Sequence, residues 1–406
     1  MGAKRVSKQG VTVSQGNAIE VTDTAGSVLF SVNNAGSVNT LANLTAKGDL
    51  LTASAASTPA VLAAPTEQGS TLVADSAATT GLRWQGNYAA GKNAIINGDF
   101  SIWQRGTSFN NNGGTYLADR FVATGSGTAA TMSQQSFTPG TAPVTGYEGK
   151  FYLRWDQSSA ATATQTLMQR IESAKTFGNQ SVTFSFWARV NSGTPSLNIK
   201  SFQNFGTGGS PSSSAITTLA SGVTLTSSWA RYSYTFTNPS VAGKTFGTAG
   251  NDYLAFYIEF PNSGTWQIDT WGWQAEAGSV ATAFQTATGT LQGELAACQR
   301  YYFRTSGTAV YQALGLGYTK STTTGDIIFQ IPVTMRIPPS SIEYGSLYFE
   351  DSAGVTAIGP TATISNASKN TARIQLSSMA GLTANRPAVI YTNNDANSYI
   401  AMNAEL

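Results

Sequence analysis

Seven tryptophans (Trp103, Trp155, Trp187, Trp229, Trp266, Trp271 and Trp273) lie between residues 93 and 288. Flat indoles can cover the C–H faces of a pyranose while nearby amides and hydroxyls orient the ring. The carboxylates of the same span, among them Asp156, Glu172, Asp252 and Glu259, are the other reactive groups. A glycosidase needs only a carboxylate pair, but nothing in their spacing selects one. Other chemistries are closed. Histidine is absent and Cys298 is the single cysteine. That excludes Ser-His-Asp and Cys-His hydrolysis, ordinary zinc sites and an internal disulfide within one chain. The glycines of Gly206–Ser210 are not followed by Gly-Lys-Ser/Thr, so they form no phosphate loop.

Most of these tryptophans must be core, because a chain of 406 residues with 11 % charged residues depends on packing. In Val182–Val190, period-two alternation puts Phe184 and Phe186 on one face and Trp187 on the other. The same parity puts Trp271 and Trp273 on one face with Asp269. The loops Ser108–Thr115 and Asn204–Ser214 are polar, glycine-rich and long for hairpins, and such loops on a rigid sandwich carry recognition. A net charge of +2 gives no basic field for nucleic acid. Residues 1–10 carry Lys4, Arg5 and Lys8 without a following apolar stretch, so no secretory signal is expected, and no run is long enough for a membrane span. A soluble chain made in the cytoplasm is expected.

The elements that must position these groups are strands. Residues 1–40 read as a short β-meander with turns at Asp23–Gly26 and Asn33–Gly36, too small to bury a core alone. Residues 41–92, rich in Ala, Ser and Thr, sustain no period and are expected to form either an extended stalk whose apolar pairs pack on neighbouring copies or a low-complexity linker. Residues 93–288 carry strand-like segments from Ala94–Ile96 to Thr265–Gln274, at the spacing of a sandwich or jelly roll. Thr290–Arg304 is the helix candidate, with Leu291, Leu295 and Cys298 on one face, giving a connecting helix over 289–304. Residues 305–406 return to β patterning. The fold class expected is all-β: a meander and stalk, a central jelly-roll sandwich and a small C-terminal β-sandwich. The roughly 20-residue rungs of a β-helix, a common scaffold for glycan cleavage, are not visible.

Four stretches taken together carry a resemblance. They are Asn93–Phe109 (NAIINGDFSIWQRGTSF), Tyr116–Phe121 (YLADRF), Trp271–Phe284 (WGWQAEAGSVATAF) and Cys298–Tyr302 (CQRYY). This set resembles a recurrent module of tailed-bacteriophage tail fibres and other receptor-facing virion appendages. Lys47–Leu51 through Trp84, Glu20–Phe30 and Phe329–Pro339 are similar to further segments of the same proteins. The middle module also resembles jelly-roll carbohydrate-binding modules, matched at Asn97–Phe100 and Trp266–Asp269. The resemblance implies a virion structural protein, most simply a homotrimer. The N-terminal 40 residues would attach to other virion proteins, and the distal domains would contact host-surface polysaccharide without catalysis. A capsid head fibre of the same architecture and a glycan-degrading spike are the alternatives. Receptor contact is expected from Trp103, Asn110, Asn111, Asn112, Trp155, Asn204 and Trp229. The carbohydrate-binding likeness implies a structural calcium on Asp99 and Asp269, although Ser101 stands where that family often has glutamate. Apart from that ion no cofactor is expected.

Overall fold

The computed structural model describes all residues except 1–10, 13–16, 23–27, 34–37, 41–43, 45, 57, 66–69, 76–77, 86–91, 111–112, 126–129, 145–146 and 355. The chain divides into two compact units, Met1–Asn87 and Tyr88–Leu406.

The first unit opens with the expected meander: β1 (Val11–Thr12), β2 (Asn17–Thr22), β3 (Val28–Asn33) and β4 (Val38–Thr40) form one antiparallel sheet. Its two expected turns fall largely outside the described residues. The Ala/Ser/Thr stretch then departs from the reading as a plain extended stalk. It holds two hairpins, β5–β6 (Leu50–Ala55, Thr58–Leu62) and β7–β8 (Thr71–Ala74, Leu82–Gln85). Short side chains hid the strand period, and the hairpins are closed by polar groups instead. Asp49 accepts from Ala46 N and Ala64 N, and the Trp84 indole donates to Ala63 O at 2.7 Å. Leu51 and Leu72, two of the apolar residues expected to pack on other copies, are exposed.

The second unit begins with twelve strands: β9 (Ser108–Asn110), β10 (Thr115–Tyr116), β11 (Phe121–Thr124), β12 (Ala130–Ser136), β13 (Phe151–Gln157), β14 (Gln165–Glu172), β15 (Ser181–Ser192), β16 (Ser196–Asn204), β17 (Ala215–Thr224), β18 (Ala230–Thr237), β19 (Tyr253–Phe260) and β20 (Trp266–Ala277). They make two six-stranded antiparallel sheets, ordered β18-β15-β20-β13-β12-β9 and β10-β11-β14-β19-β16-β17, the jelly-roll sandwich expected for 93–288. Phe184 and Phe186 point inward and pack on Trp273, and Phe184 stacks on Phe256 of the facing sheet. Trp155 and Trp266 join the same core.

Residues Ala94–Ile96 form no strand. The chain turns through 96–99, with Asn97 and Phe100 at positive φ (58° and 55°). The Asn97 side chain replaces a ladder, donating to Ile102 O and Asp119 O and accepting from Ile102 N.

Helix α1 (Leu291–Gln299) is shorter than the expected 290–304. Thr290 caps its N-terminus by accepting from Gly293 N. Tyr302 already opens β21 (Tyr302–Ser306), since Tyr-Tyr-Phe suits a pleated surface better than a helix. The remaining strands are β22 (Ala313–Thr319), β23 (Gly325–Gln330), β24 (Ile342–Tyr344), β25 (Leu347–Asp351), β26 (Thr356–Ile358), β27 (Thr361–Ala367), β28 (Thr371–Ser377), β29 (Pro387–Thr392) and β30 (Tyr399–Asn403). They form sheets β21-β30-β24 and β26-β25-β29-β22-β23-β28-β27 around a second core that includes Ile327, Phe349, Ile374 and Ile390.

The sequence stretches that carry the resemblance build the joint between jelly roll and C-terminal sheets. Arg120 does not pair with its neighbour Asp119. It is buried, bonds Glu405 and the Arg170 carbonyl, and lies 3.3 Å from the Tyr301 ring centroid. Arg105 lies 3.5 Å from that of Tyr302 and also reaches Glu405. Arg336 donates to the carbonyls of Ala404 and Glu405. Burying a guanidinium is costly unless its donors find acceptors; the final strand's exit and the Arg170 carbonyl supply several, while Arg105 Nη1 and Arg120 Nε are left without one.

Candidate functional site

The sheet β18-β15-β20-β13-β12-β9 has an outer face whose side chains follow from register. On β13, Leu153 and Trp155 turn inward, so Tyr152, Arg154 and Asp156 turn out. Arg154 and Arg189 both stand opposite Asp269 of the central strand. Asp269 is 0 % exposed, while the two arginine side chains are 25 % and 28 % exposed. Arg154 binds it through Nε and Nη2 at 2.7 and 3.0 Å, and Arg189 Nε donates at 2.9 Å. Without the carboxylate, two like charges would face each other across one strand. The bonds to Asp269 hold the Arg154 guanidinium above its ordinary pKa, against a smaller opposing effect of burial. One row further along the strands, Gln267 donates to Asp156 at 3.1 Å.

Trp229 completes this face. Its turn is pinned by Thr226, which receives a bond from Val190 N through its carbonyl and donates one from its amide to the Tyr232 hydroxyl. The half-buried indole meets Phe137 at 5.6 Å, Tyr152 at 5.4 Å and the Arg189 guanidinium at 4.9 Å. Phe137 also borders a hollow of about 580 Å³ lined by Pro139, Glu148, Lys150 and Phe151. The result is an aromatic wall beside a polar fan of Arg154, Arg189, Asp156 and Gln267, a combination suited to a polyhydroxylated ligand.

The other contact residues scatter. Trp103 donates its indole N–H to Phe100 O and stacks on Phe109 at 6.4 Å, next to exposed Asn110 on edge strand β9. Asn111 and Asn112 lie outside the described residues. Asn204 ends β16 and accepts from Gly206 N at 2.8 Å, shaping its own loop. Trp155 is a correction: it is 1 % exposed and packs on Phe260 and Trp266, so it offers no surface. Trp273 is a second correction. It packs between the two sheets, whereas Trp271, equally buried, packs on the other face of its sheet with Tyr147, Phe137 and Trp187. A β-bulge causes the switch: register shifts between Ser185 and Trp187, with Gly272 at φ 66°.

Calcium does not fit where the resemblance placed it. The Asp269 carboxylate is held by two cations, which oppose a third. Asp99 takes separate partners, accepting from Ser101 Oγ at 2.9 Å and the Tyr147 hydroxyl at 3.1 Å. Burial pushes the Asp99 carboxyl above its ordinary pKa despite those bonds. Among the described residues no group of three or more Cys, Asp or Glu is arranged to hold a metal ion.

The four carboxylates weighed for glycoside hydrolysis bind different partners: Asp156 Gln267, Glu172 Arg300, Asp252 Ser173, and Glu259 both Lys200 and Asn198. Burial raises the Glu259 pKa, but the bonds from Lys200 and Asn198 outweigh it and leave it below the usual range. Arg154, Arg189 and Tyr152 were not foreseen as site residues. Their signal was parity, since they alternate with Trp155 and with Phe184 and Phe186.

No family model and no curated protein matches the sequence. Among solved structures, this chain is similar to the C-terminal family 22 carbohydrate-binding module of Clostridium thermocellum Xyn10B (13 % identity, 48 % of this chain and 99 % of that one, TM-score 0.30). It is also similar to the CBM22-2 xylan-binding domain of Paenibacillus barcinonensis Xyn10C (14 % identity, 42 % and 98 %, TM-score 0.26). A third similarity is to the enzymatically active domain of bacteriophage CBA120 tailspike protein 4 (12 % identity, TM-score 0.29), covering 46 % of this chain and 22 % of that one. Each similarity is low and takes in less than half of the chain.

Proposed function

We propose that this chain is a glycan-binding adhesion protein of a tailed-bacteriophage virion, a tail-fibre-like appendage that holds host-surface polysaccharide and does not cleave it. The observation that carries the reading is the Trp229 face, where a half-buried indole stands beside Arg189, which shares a buried aspartate with Arg154. The sequence resemblance supplies the virion context. In this reading the N-terminal meander attaches the chain to the particle as a homotrimer. Several copies then multiply a weak per-site affinity, because linked sites raise effective concentration.

The test is binding of the full chain to purified host-envelope polysaccharides, with Trp229→Ala alongside. Loss of a central aromatic contact costs about 2 kcal/mol or more, so capture should fall by roughly thirtyfold. Unchanged capture by Trp229→Ala would move the site elsewhere, and wild-type protein that captures no polysaccharide would end the glycan reading. Release of oligosaccharides from a bound polysaccharide would overturn the non-catalytic assignment.

A further inference from the structure

The seven-stranded sheet of the C-terminal sandwich has its hydrophobic pattern reversed at its centre. A sheet with one wet face normally turns apolar side chains in and polar ones out. Central strand β22 instead directs Gly315 toward Ile327, Phe329 and Ile390 of the core, and projects Leu316 to solvent, 73 % exposed. Its neighbour β23 projects Ile328, 60 % exposed.

Register joins these residues into one row. Glu350 on β25 pairs with Val389 on β29, which pairs with Leu316. Ile328, beside Leu316, pairs with Arg373 on β28. An acid, three apolar side chains and a base therefore cross five adjacent strands, with about 19 Å between the charged ends. At the basic end Arg373 and Lys320 both approach Asp326, leaving a surplus of positive charge. A hollow of about 390 Å³ lies between Leu316, Glu350, Val389 and Tyr391.

We propose that this face docks a second copy of this chain. The row is complementary to itself when reversed: Leu316 meets Leu316, Val389 of one copy meets Ile328 of the other, and each Glu350 meets an Arg373. Seven strands of ordinary length offer roughly 500 Å² per copy, so two faces together reach the roughly 1,000 Å² of a specific interface. The docking does not depend on the glycan reading, and since a two-fold contact cannot close among three copies it joins chains of different trimers.

The test uses the full chain carrying Leu316→Cys and a thiol-specific crosslinker matched to the roughly 10 Å between packed sheets. Native Cys298 is buried and does not compete. Crosslinked pairs should form at Leu316→Cys and not at Ile216→Cys, a comparably exposed position on the jelly roll. Sedimentation of Leu316→Asp and Glu350→Lys should show self-association through this face weakened at least tenfold. Equal crosslinking at both positions, or no crosslinking with sedimentation of both charge variants unchanged, overturns the proposal. So does a Leu316→Asp variant that loses polysaccharide capture while sedimenting like wild type, because the face would then meet a ligand.

Discussion

Asp269→Asn discriminates between the arginine clamp and a calcium site. In the fold the carboxylate is fully buried and engaged by Arg154 and Arg189. Breaking a fully buried ion pair costs about 3–5 kcal/mol because a charge is stranded. Here the stranded groups are arginines that remain 25 % and 28 % exposed and can draw in water. The expected loss is therefore smaller, about 2–3 kcal/mol. For a domain of this size that corresponds to a melting temperature lower by roughly 4–12 °C. The assay is thermal and urea unfolding of wild type and Asp269→Asn, each with calcium and with EDTA. EDTA should leave the wild-type transition in place while the substitution lowers it. The reasoning is refuted if Asp269→Asn unfolds within about 0.5 kcal/mol of wild type, or if EDTA reproduces the effect of the substitution.

Gly272→Ala should cost about 2–4 kcal/mol in urea unfolding, since a Cβ there would sit 2.6 Å from Trp187 Cε3 on a backbone at φ 66°; a loss below about 0.5 kcal/mol would show the bulge to be dispensable. Asp99 gives a pH signature. Its carboxyl is raised by burial, so its contribution to stability is present below the unfolded pKa and is lost as pH rises through the folded one. Wild type should therefore gain stability relative to Asp99→Asn as pH falls from about 7 to about 4, and melting curves that stay parallel over that range would contradict the burial argument.

Much of the strand content is legible from alternation alone. Val182–Val190 separates Phe184 and Phe186 from Trp187 because successive strand residues must face opposite sides, and the fold keeps that separation. Strand β19 falls on the residues expected, Tyr253–Phe260. The absence of histidine and the single cysteine exclude whole classes of chemistry from the sequence alone. The hairpins of the Ala/Ser/Thr stretch were not legible, because Ala and Thr carry too little hydrophobic contrast to mark a face.

What the tertiary structure alone decided was the fate of particular tryptophans and carboxylates. Parity put Trp271 and Trp273 together, but one extra residue at Gly272 turns them to opposite faces of the sheet, where both are buried. Asp269 was readable as a metal ligand until β13 and β15 brought an arginine against it from each side. A bulge is a choice between two local registers, and a carboxylate's partner is set by which strands become neighbours. Both depend on residues tens of positions away, so composition and spacing defined the kind of surface this chain carries, and strand pairing defined where it lies.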